Sequence, residues 1–97
     1  MTEEKKTMQG NDELLEIIKH YGLKAQLKKF NEEVYELLES IIQKDNKEHI
    51  TEEYADVVLV LSQIGLYLNI DPNEVDKIVD YKVKRTQEKI KNEIKEN

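Results

Sequence analysis

The sequence has no cysteine and no tryptophan, and it has only one proline and three glycines among its 97 residues. Because cysteine is absent, disulfides and thiolate metal sites are excluded, which is compatible with a reducing intracellular setting. Basic residues are outnumbered, and a net charge of −6 lacks the basic footprint of a general nucleic-acid-binding protein. The longest apolar run ends at Leu61 and is far shorter than the roughly 20 residues that cross a bilayer. Residues 1–10 lack the apolar core of a signal peptide. We therefore expect a cytoplasmic domain that binds neither nucleic acid nor a membrane.

Apolar residues recur at helical spacing along most of the chain. Residues 1–10 are polar and are expected to form a disordered tail. A short first helix is expected over about 12–21, with Asn11 as its N-cap and Gly22 as its stop. A second helix is expected over about 24–44, because its apolar residues form one stripe.

The second half of the chain predicts two more helices. Thr51 is a good N-cap for a third helix over about 52–68. This helix is apolar nearly all round, so we expect it to be buried on several sides. The pattern from Asp71 to Glu74 is a capping box with proline at the first helical position, and it opens a fourth helix that runs toward Lys95.

No strand, internal repeat or linker is expected. The predicted fold is an all-α, four-helix protomer, with a single domain over residues 11–97. The second to fourth helices are expected to form the bundle, and the first to help close a pocket or an interface. Long helices with apolar faces often need a partner chain, so we expect a helical-bundle homodimer or a dimer of dimers.

The chain is organised around two acid pairs. Glu33 and Glu36 are three residues apart on the second predicted helix, and Glu53 and Asp56 have the same spacing on the third. Residues i and i+3 share one face of a helix, so packing of the two helices would bring four carboxylates together. At about 5 Å and an effective dielectric of about 20, each like-charged pair costs roughly 3 kcal/mol. We therefore expect a hard cation among them, with Mg²⁺ as the usual ion and Mn²⁺ as a substitute.

Three cations mark the fourth predicted helix. Lys82 falls within its apolar arc, and Arg85 and Lys89 lie along the edge of that arc. Cations placed inward beside an acidic bundle either compensate its charge or hold a phosphate. The alternative interpretation is a solvated helix face with pairs at i,i+4 spacing.

One pattern joins these residues: Gln26-x-x-Lys29-x-x-Glu32-Glu33-x-x-Glu36-Leu37, then Glu53-x-x-Asp56, then Lys82-x-x-Arg85. It resembles the MazG-like branch of the all-α nucleoside triphosphate pyrophosphatases, whose hallmark is E-E-x-x-E followed by E-x-x-D. The resemblance covers about Gly22 to Lys89. E-x-x-D alone is a weak motif, whereas both halves on two helices of fitting length make a stronger one.

The resemblance implies a helical protomer that dimerises or tetramerises, with active sites completed across subunits. It also implies Mg²⁺-dependent hydrolysis between the α- and β-phosphates of a nucleoside triphosphate, giving the monophosphate and pyrophosphate. Carried over by position, the metal ligands would be Glu33, Glu36, Glu53 and Asp56. The phosphate-binding residues would be Lys82, Arg85 and Lys89. Glu32, together with Glu33, would supply the catalytic carboxylates.

Tyr21 is a weak candidate for base binding. An aromatic ring just before the turn into the second helix can stack on a base, although packing at a helix end is the commoner role. The preferred base and sugar cannot be read from the sequence.

Other enzymes and metal proteins compete with this interpretation. Phosphoribosyl-ATP pyrophosphatase shares the acid pattern, but its relatives usually carry a histidine four residues after the aspartate, where this chain has Val60. Dimeric dUTPases also share the acids but are longer chains. A di-iron or di-manganese bundle needs Glu-x-x-His on two helices, which neither His20 nor His49 provides.

A non-enzymatic helical oligomerisation or regulatory module is the remaining alternative. The apolar third helix fits such a module, because it suggests an interface. The inward placement expected for Glu53 and Asp56 counts against it, since a scaffold has little use for two acids there.

Overall fold

Four α-helices make up the computed structural model, which describes the backbone of residues 2–96 and the side chains of residues 10–95. In chain order they are α1 (Thr2–Tyr21), α2 (Leu23–Ile42), α3 (Lys47–Tyr67) and α4 (Pro72–Glu96). No strand is present among the described residues, so the all-α, four-helix prediction is confirmed. No described helix is long and apolar enough to span a membrane.

Gly22 separates α1 from α2. It has φ 92°, in the left-handed region that favours glycine, and its N–H donates to the Ile18 carbonyl at 2.7 Å. α1 therefore ends at Tyr21, as predicted. Its start at Thr2 is ten residues earlier than expected, and Asn11 lies inside the helix instead of capping it. The side chains of residues 1–9 lie outside the described residues, so the disordered tail stays a prediction.

The start of α3 differs from the prediction. Asn46 is the N-cap, because its side-chain oxygen accepts a hydrogen bond from the His49 N–H at 2.8 Å. Thr51, the expected cap, lies one turn inside the helix, where its hydroxyl donates to the Lys47 carbonyl at 2.7 Å. The fourth helix begins at Pro72 as predicted, and the Asp71 carboxylate accepts from the Asn73 N–H at 2.9 Å.

The core lies between α1, α2 and α3. Its buried apolar side chains are Ile18, Val60 and Ile64, and half-buried apolar residues from α1 and α2 surround them. The expected bundle of the second to fourth helices is not found in the described part of the chain: only the first turn of α4 lies near α1 and α3, and the rest of the helix packs against none of the other three. The cause is geometric, since α4 projects away and leaves its apolar stripe uncovered, with Ile78 and Val79 both about half exposed.

The chain is elongated as a result. Its radius of gyration is 17.5 Å, whereas a compact domain of this length has about 12–13 Å. The third helix, expected to be buried on several sides, also keeps one face uncovered: Val58, Leu59 and Leu61 are 46%, 43% and 54% exposed.

Substitution in the small core should be costly. Ile18 is fully buried, so Ile18→Ala is expected to lower the free energy of unfolding by about 3 kcal/mol. Its neighbour Ile17 is 37% exposed, so Ile17→Ala is a matched control expected to lose about 1 kcal/mol or less. Chemical denaturation measures both. Equal losses in the two variants would contradict this placement of the core.

Candidate metal centre

Three carboxylates meet between α2 and α3. One oxygen from each of Glu33, Glu53 and Asp56 lies within 4.8 Å of the other two. The two helices are joined by a short turn and pack on each other as neighbours. Glu33 precedes the end of α2 by about as many residues as Asp56 follows the start of α3. Antiparallel packing therefore brings the acids to one level, which is the convergence that the sequence predicted.

The three acids differ in burial. Glu33 is buried, with 9% of its surface exposed, Glu53 is half-buried, and Asp56 is exposed at the rim of the group. The Oε2 atoms of Glu33 and Glu53 are both buried and have no hydrogen-bond partner among the described residues. A buried carboxylate oxygen without a partner is costly. Repulsion between the two less exposed acids, Glu33 and Glu53, adds up to about 3 kcal/mol at an effective dielectric of about 20, whereas solvent screens the charge of the exposed Asp56.

This oxygen set fits a hard divalent cation. Mg²⁺ binds oxygen ligands at about 2.1 Å, so two ligands of an octahedral site lie about 3.0 Å apart when adjacent and about 4.2 Å apart when opposite. The observed separations reach 4.8 Å, so each side chain would move inward by about 1 Å to close the set around the ion. The two partnerless oxygens would then gain the positive neighbour that they lack.

Two other predicted acids lie outside this group. Glu36 is exposed on α2 one turn after Glu33, and the structure does not bring it together with the other three. Glu32 is also exposed, and it lines a neighbouring cleft. The roles assigned to both residues from the sequence stay predictions.

Two cationic side chains adjoin the acids, and the sequence reasoning missed both of them as members of the site. Lys29 Nζ lies 3.5 Å from Glu33 Oε1, and His49 Nε2 lies 3.2 Å from Glu53 Oε1. Each cation lies one helical turn before its acid, and this i,i+4 spacing is a signal that could have revealed them.

His49 also contacts the loop that precedes α3. Its Nδ1 atom lies 2.6 Å from Asp45 Oδ2, a short contact without the geometry of a well-aligned hydrogen bond. This contact, followed by the negative charge of Asp45, raises the pKa of His49 above its ordinary value, and the charges of Glu53 and Glu52 add to the effect. The Asn46 N–H, which donates to Asp45, lowers the pKa of that carboxyl, and His49 contributes further.

A cleft of about 450 Å³ opens beside the acids between α1, α2 and α3. Its floor holds a buried amide pair, in which Gln26 Nε2 donates to Gln63 Oε1 at 2.6 Å. Tyr21, the predicted base-binding residue, lines this cleft and is 64% exposed. Lys29 and Glu32 line it as well, and the Lys29–Glu33 contact connects the cleft to the acid group.

The three predicted phosphate-binding cations lie on α4. Lys82, Arg85 and Lys89 line one shallow groove along that helix and are exposed. None of them forms an ion pair with another described residue, whereas Lys84 on another face of α4 pairs with Asp80 at 3.1 Å. Within one chain, the expected inward placement of Lys82 is not found, because α4 has no helix beside it.

Comparison with known proteins places this arrangement in a family. A family model described as phosphoribosyl-ATP pyrophosphohydrolase matches residues 15–83, more than two thirds of the chain. The chain belongs to the phosphoribosyl-ATP pyrophosphohydrolase family. The match spans all three converging acids, and this family is part of the all-α nucleoside triphosphate pyrophosphatase superfamily that the acid pattern predicted. The MazG-like branch is not the one that the match names.

Membership supports a hydrolase that acts on pyrophosphate bonds. Searches of the curated proteins and of the solved structures returned no significant match.

Removing one charge from the acid group should change the metal-free protein and its response to metal. Asp56 has no ion pair among the described residues, so Asp56→Asn relieves repulsion without breaking a contact. We expect its melting temperature without metal to rise by roughly 2–5 °C. Mg²⁺ should raise the melting temperature of the wild type, and raise that of Asp56→Asn much less.

The control for this measurement is Asp76→Asn. Asp76 is exposed on α4 and lies outside the acid group, so this variant should match the wild type with and without Mg²⁺. Thermal denaturation followed by circular dichroism measures all three proteins. Identical melting curves for Asp56→Asn and Asp76→Asn in both conditions would contradict a charge cluster that holds metal.

Proposed function

We propose that the protein is a Mg²⁺-dependent pyrophosphohydrolase that cleaves nucleoside and deoxynucleoside triphosphates to the monophosphate and pyrophosphate. The observation that carries this proposal is the convergence of Glu33, Glu53 and Asp56 with two buried, partnerless oxygens. Membership of a pyrophosphohydrolase family supports the same reaction type. In this proposal the enzyme acts on the nucleotide pool of the cytoplasm.

Each acid has a proposed part in the reaction. Glu33, Glu53 and Asp56 hold the cation, and Glu36 joins them from the next turn of α2. A divalent cation, when bound, neutralises phosphate charge and makes a water more acidic, and Mn²⁺ serves as a substitute. Glu32 lies at the rim of the neighbouring cleft. It accepts the proton as the water oxygen bonds to phosphorus and the bridging P–O bond breaks.

The nucleoside is proposed to lie in the cleft between α1, α2 and α3. Its volume of about 450 Å³ is within the range of roughly 300–1,000 Å³ found for small-molecule sites. Tyr21 at its edge offers a ring face for stacking, and the amides of Gln26 and Gln63 offer donors and acceptors to a base. The Lys29 ammonium next to Glu33 lies between this cleft and the acids, where the phosphates would pass.

A second copy of the chain is proposed to complete the site. The uncovered apolar stripe of α4 and the uncovered face of α3 are two surfaces that a partner would bury. In this arrangement the Lys82, Arg85 and Lys89 side chains of one protomer, which form no ion pair with another described residue, contact phosphates held by the acids of the other. The same assembly accounts for the elongated shape of the single chain.

Phosphoribosyl-ATP is the second candidate substrate, and the family description favours it. The position where relatives with that activity usually carry histidine is occupied by Val60. Val60 is 1% exposed and packs with Ile18 and Ile64 in the core, so it presents no polar group to a substrate. This observation favours nucleoside triphosphates over phosphoribosyl-ATP.

A substrate panel tests the proposal. The purified protein is incubated with Mg²⁺ and each NTP, each dNTP or phosphoribosyl-ATP, and pyrophosphate and orthophosphate are measured separately. We expect pyrophosphate from at least one triphosphate, no orthophosphate, and no turnover by Asp56→Asn, because that variant lacks one of the three converging carboxylates. Asp76→Asn is the active control. Turnover of phosphoribosyl-ATP alone would select the second candidate, and no turnover of any compound would favour a non-enzymatic helical module.

A mixing experiment tests the shared site. Asp56→Asn removes an acid and Arg85→Ala removes a cation, and each variant is expected to be inactive alone. If acid and cation come from different protomers of a dimer, unfolding and refolding the two together should restore about a quarter of wild-type activity, because only mixed dimers hold one intact site. Mixing Asp56→Asn with Glu33→Gln is the control that should stay inactive. Failure of the first mixture to regain activity, while native mass spectrometry shows that mixed dimers have formed, would contradict a site shared between protomers.

A further inference from the structure

A chain of contacts leads from the start of α3 to the acid group. The Asn46 N–H donates to Asp45 Oδ1 at 2.8 Å, which leaves Asp45 Oδ2 facing His49 Nδ1 at 2.6 Å. The other ring nitrogen of His49, Nε2, lies 3.2 Å from Glu53 Oε1. Asp45 lies in the loop before α3, and its carboxylate contacts His49, which is one helical turn before Glu53 within α3, so the three side chains form one row.

Contacts restrain both the backbone and the ring of His49. The backbone of His49 is fixed by the N-cap, since its N–H donates to Asn46 at 2.8 Å. Its ring is fixed by Asp45, whose carboxylate is itself held by the Asn46 N–H. Only the Nε2 side of the ring is left to face an acid, and that acid is Glu53.

The two carboxylate oxygens of Glu53 therefore have different surroundings. Oε1 is engaged by His49, whereas Oε2 is buried and has no partner among the described residues. A carboxylate held through one oxygen has less rotational freedom, so the other oxygen is kept in place for a ligand. Partners that orient a metal ligand in this way typically contribute 10–100-fold in metal affinity.

We propose that His49 is a positioning residue for the metal site: held by Asp45, it fixes the Glu53 carboxylate so that one oxygen stays available to the cation. This inference rests on the metal site of the proposed function, and neither the acid motif nor the family resemblance indicated it. In this role His49 acts through the Glu53 carboxylate, so its expected effect is on metal affinity.

Two substitutions that differ by one methylene separate positioning from packing. In His49→Gln the side-chain amide nitrogen reaches about as far as Nε2 and can still donate to Glu53. In His49→Asn the amide reaches only as far as Nδ1, so the contact with Asp45 is kept and the contact with Glu53 is lost. Both variants retain the backbone hydrogen bond to Asn46.

The measurement is binding of Mn²⁺ alone, by calorimetry at one fixed pH, together with the metal-free melting temperature. We expect His49→Asn to bind Mn²⁺ about tenfold more weakly than the wild type, and His49→Gln to bind within about threefold of it. Equal affinity in all three proteins would overturn the inference. Equal weakening in both variants, with equally lowered metal-free melting temperatures, would also overturn it, because His49 would then act through packing alone.

Mn²⁺ binding and nucleotide turnover together distinguish loss of the metal site from loss of the role of His49. A wild-type protein that binds no Mn²⁺ would remove the metal site of the proposed function, and the role of His49 with it. A wild-type protein that binds Mn²⁺ and turns over nucleotide, beside a His49→Asn variant of equal affinity, would remove the role of His49 alone.

Discussion

The structure depends on the close packing of α2 against α3, which forces like charges together. The same contact that buries Val60 and Ile64 also brings Glu33, Glu53 and Asp56 within 4.8 Å of one another. Helix packing is driven by apolar burial, and it brings the acids together because they lie on the flank of the packed faces. Their mutual repulsion therefore destabilises the metal-free fold. Relief of that repulsion by a bound cation would contribute to the free energy of binding the cation.

Only three apolar side chains are buried among residues 10–95, which is a small core for a chain of this length. Much of the apolar surface of α3 and α4 remains exposed, and the radius of gyration of 17.5 Å exceeds that of a compact domain. Exposed apolar faces on this scale mark surfaces of association. Lys82, Arg85 and Lys89, which form no ion pair with another described residue, all lie on α4. In the proposed dimer, burial of that helix would also bring these cations to the acids of the second copy.

The sequence predicted the parts of the fold that follow from local chemistry. Gly22 ends α1 because only glycine takes its left-handed conformation easily, and Pro72 opens α4 because the Asp71 carboxylate caps the turn beside it. The convergence of Glu33 with Glu53 and Asp56 also followed, because i,i+3 spacing and a short turn between helices constrain it strongly. The predicted start of α3 was wrong, because Asn46 and Thr51 are both good N-cap residues and only the observed hydrogen bond distinguishes them.

What the sequence could not predict depends on contacts between distant residues. The direction of α4 is set by the turn between α3 and α4, because the described part of the helix packs on no other helix along most of its length. The apolar stripe of α4 predicts which face will be buried but not the direction in which the helix runs. The Gln26–Gln63 pair joins residues 37 positions apart, and neither glutamine has a local signal. His49 was considered only as a metal ligand in another type of site. Its contact with Glu53 follows from i,i+4 spacing, but its restraint by Asp45 depends on where α3 begins.

Lys29 and His49 are the two basic side chains beside the acid group. Lys29 and His49 each engage one oxygen, of Glu33 and of Glu53 respectively, and each leaves the second oxygen of that carboxylate buried without a partner. Such partial compensation has two consequences. It reduces the repulsion that the metal-free fold must tolerate, and it keeps one oxygen per carboxylate available to a cation. Full pairing of both oxygens would stabilise the empty site and compete with the ion, whereas no pairing would leave the carboxylates free to turn away toward solvent. The arrangement of α2 and α3 lies between these limits, which is the condition that a reversible divalent site requires.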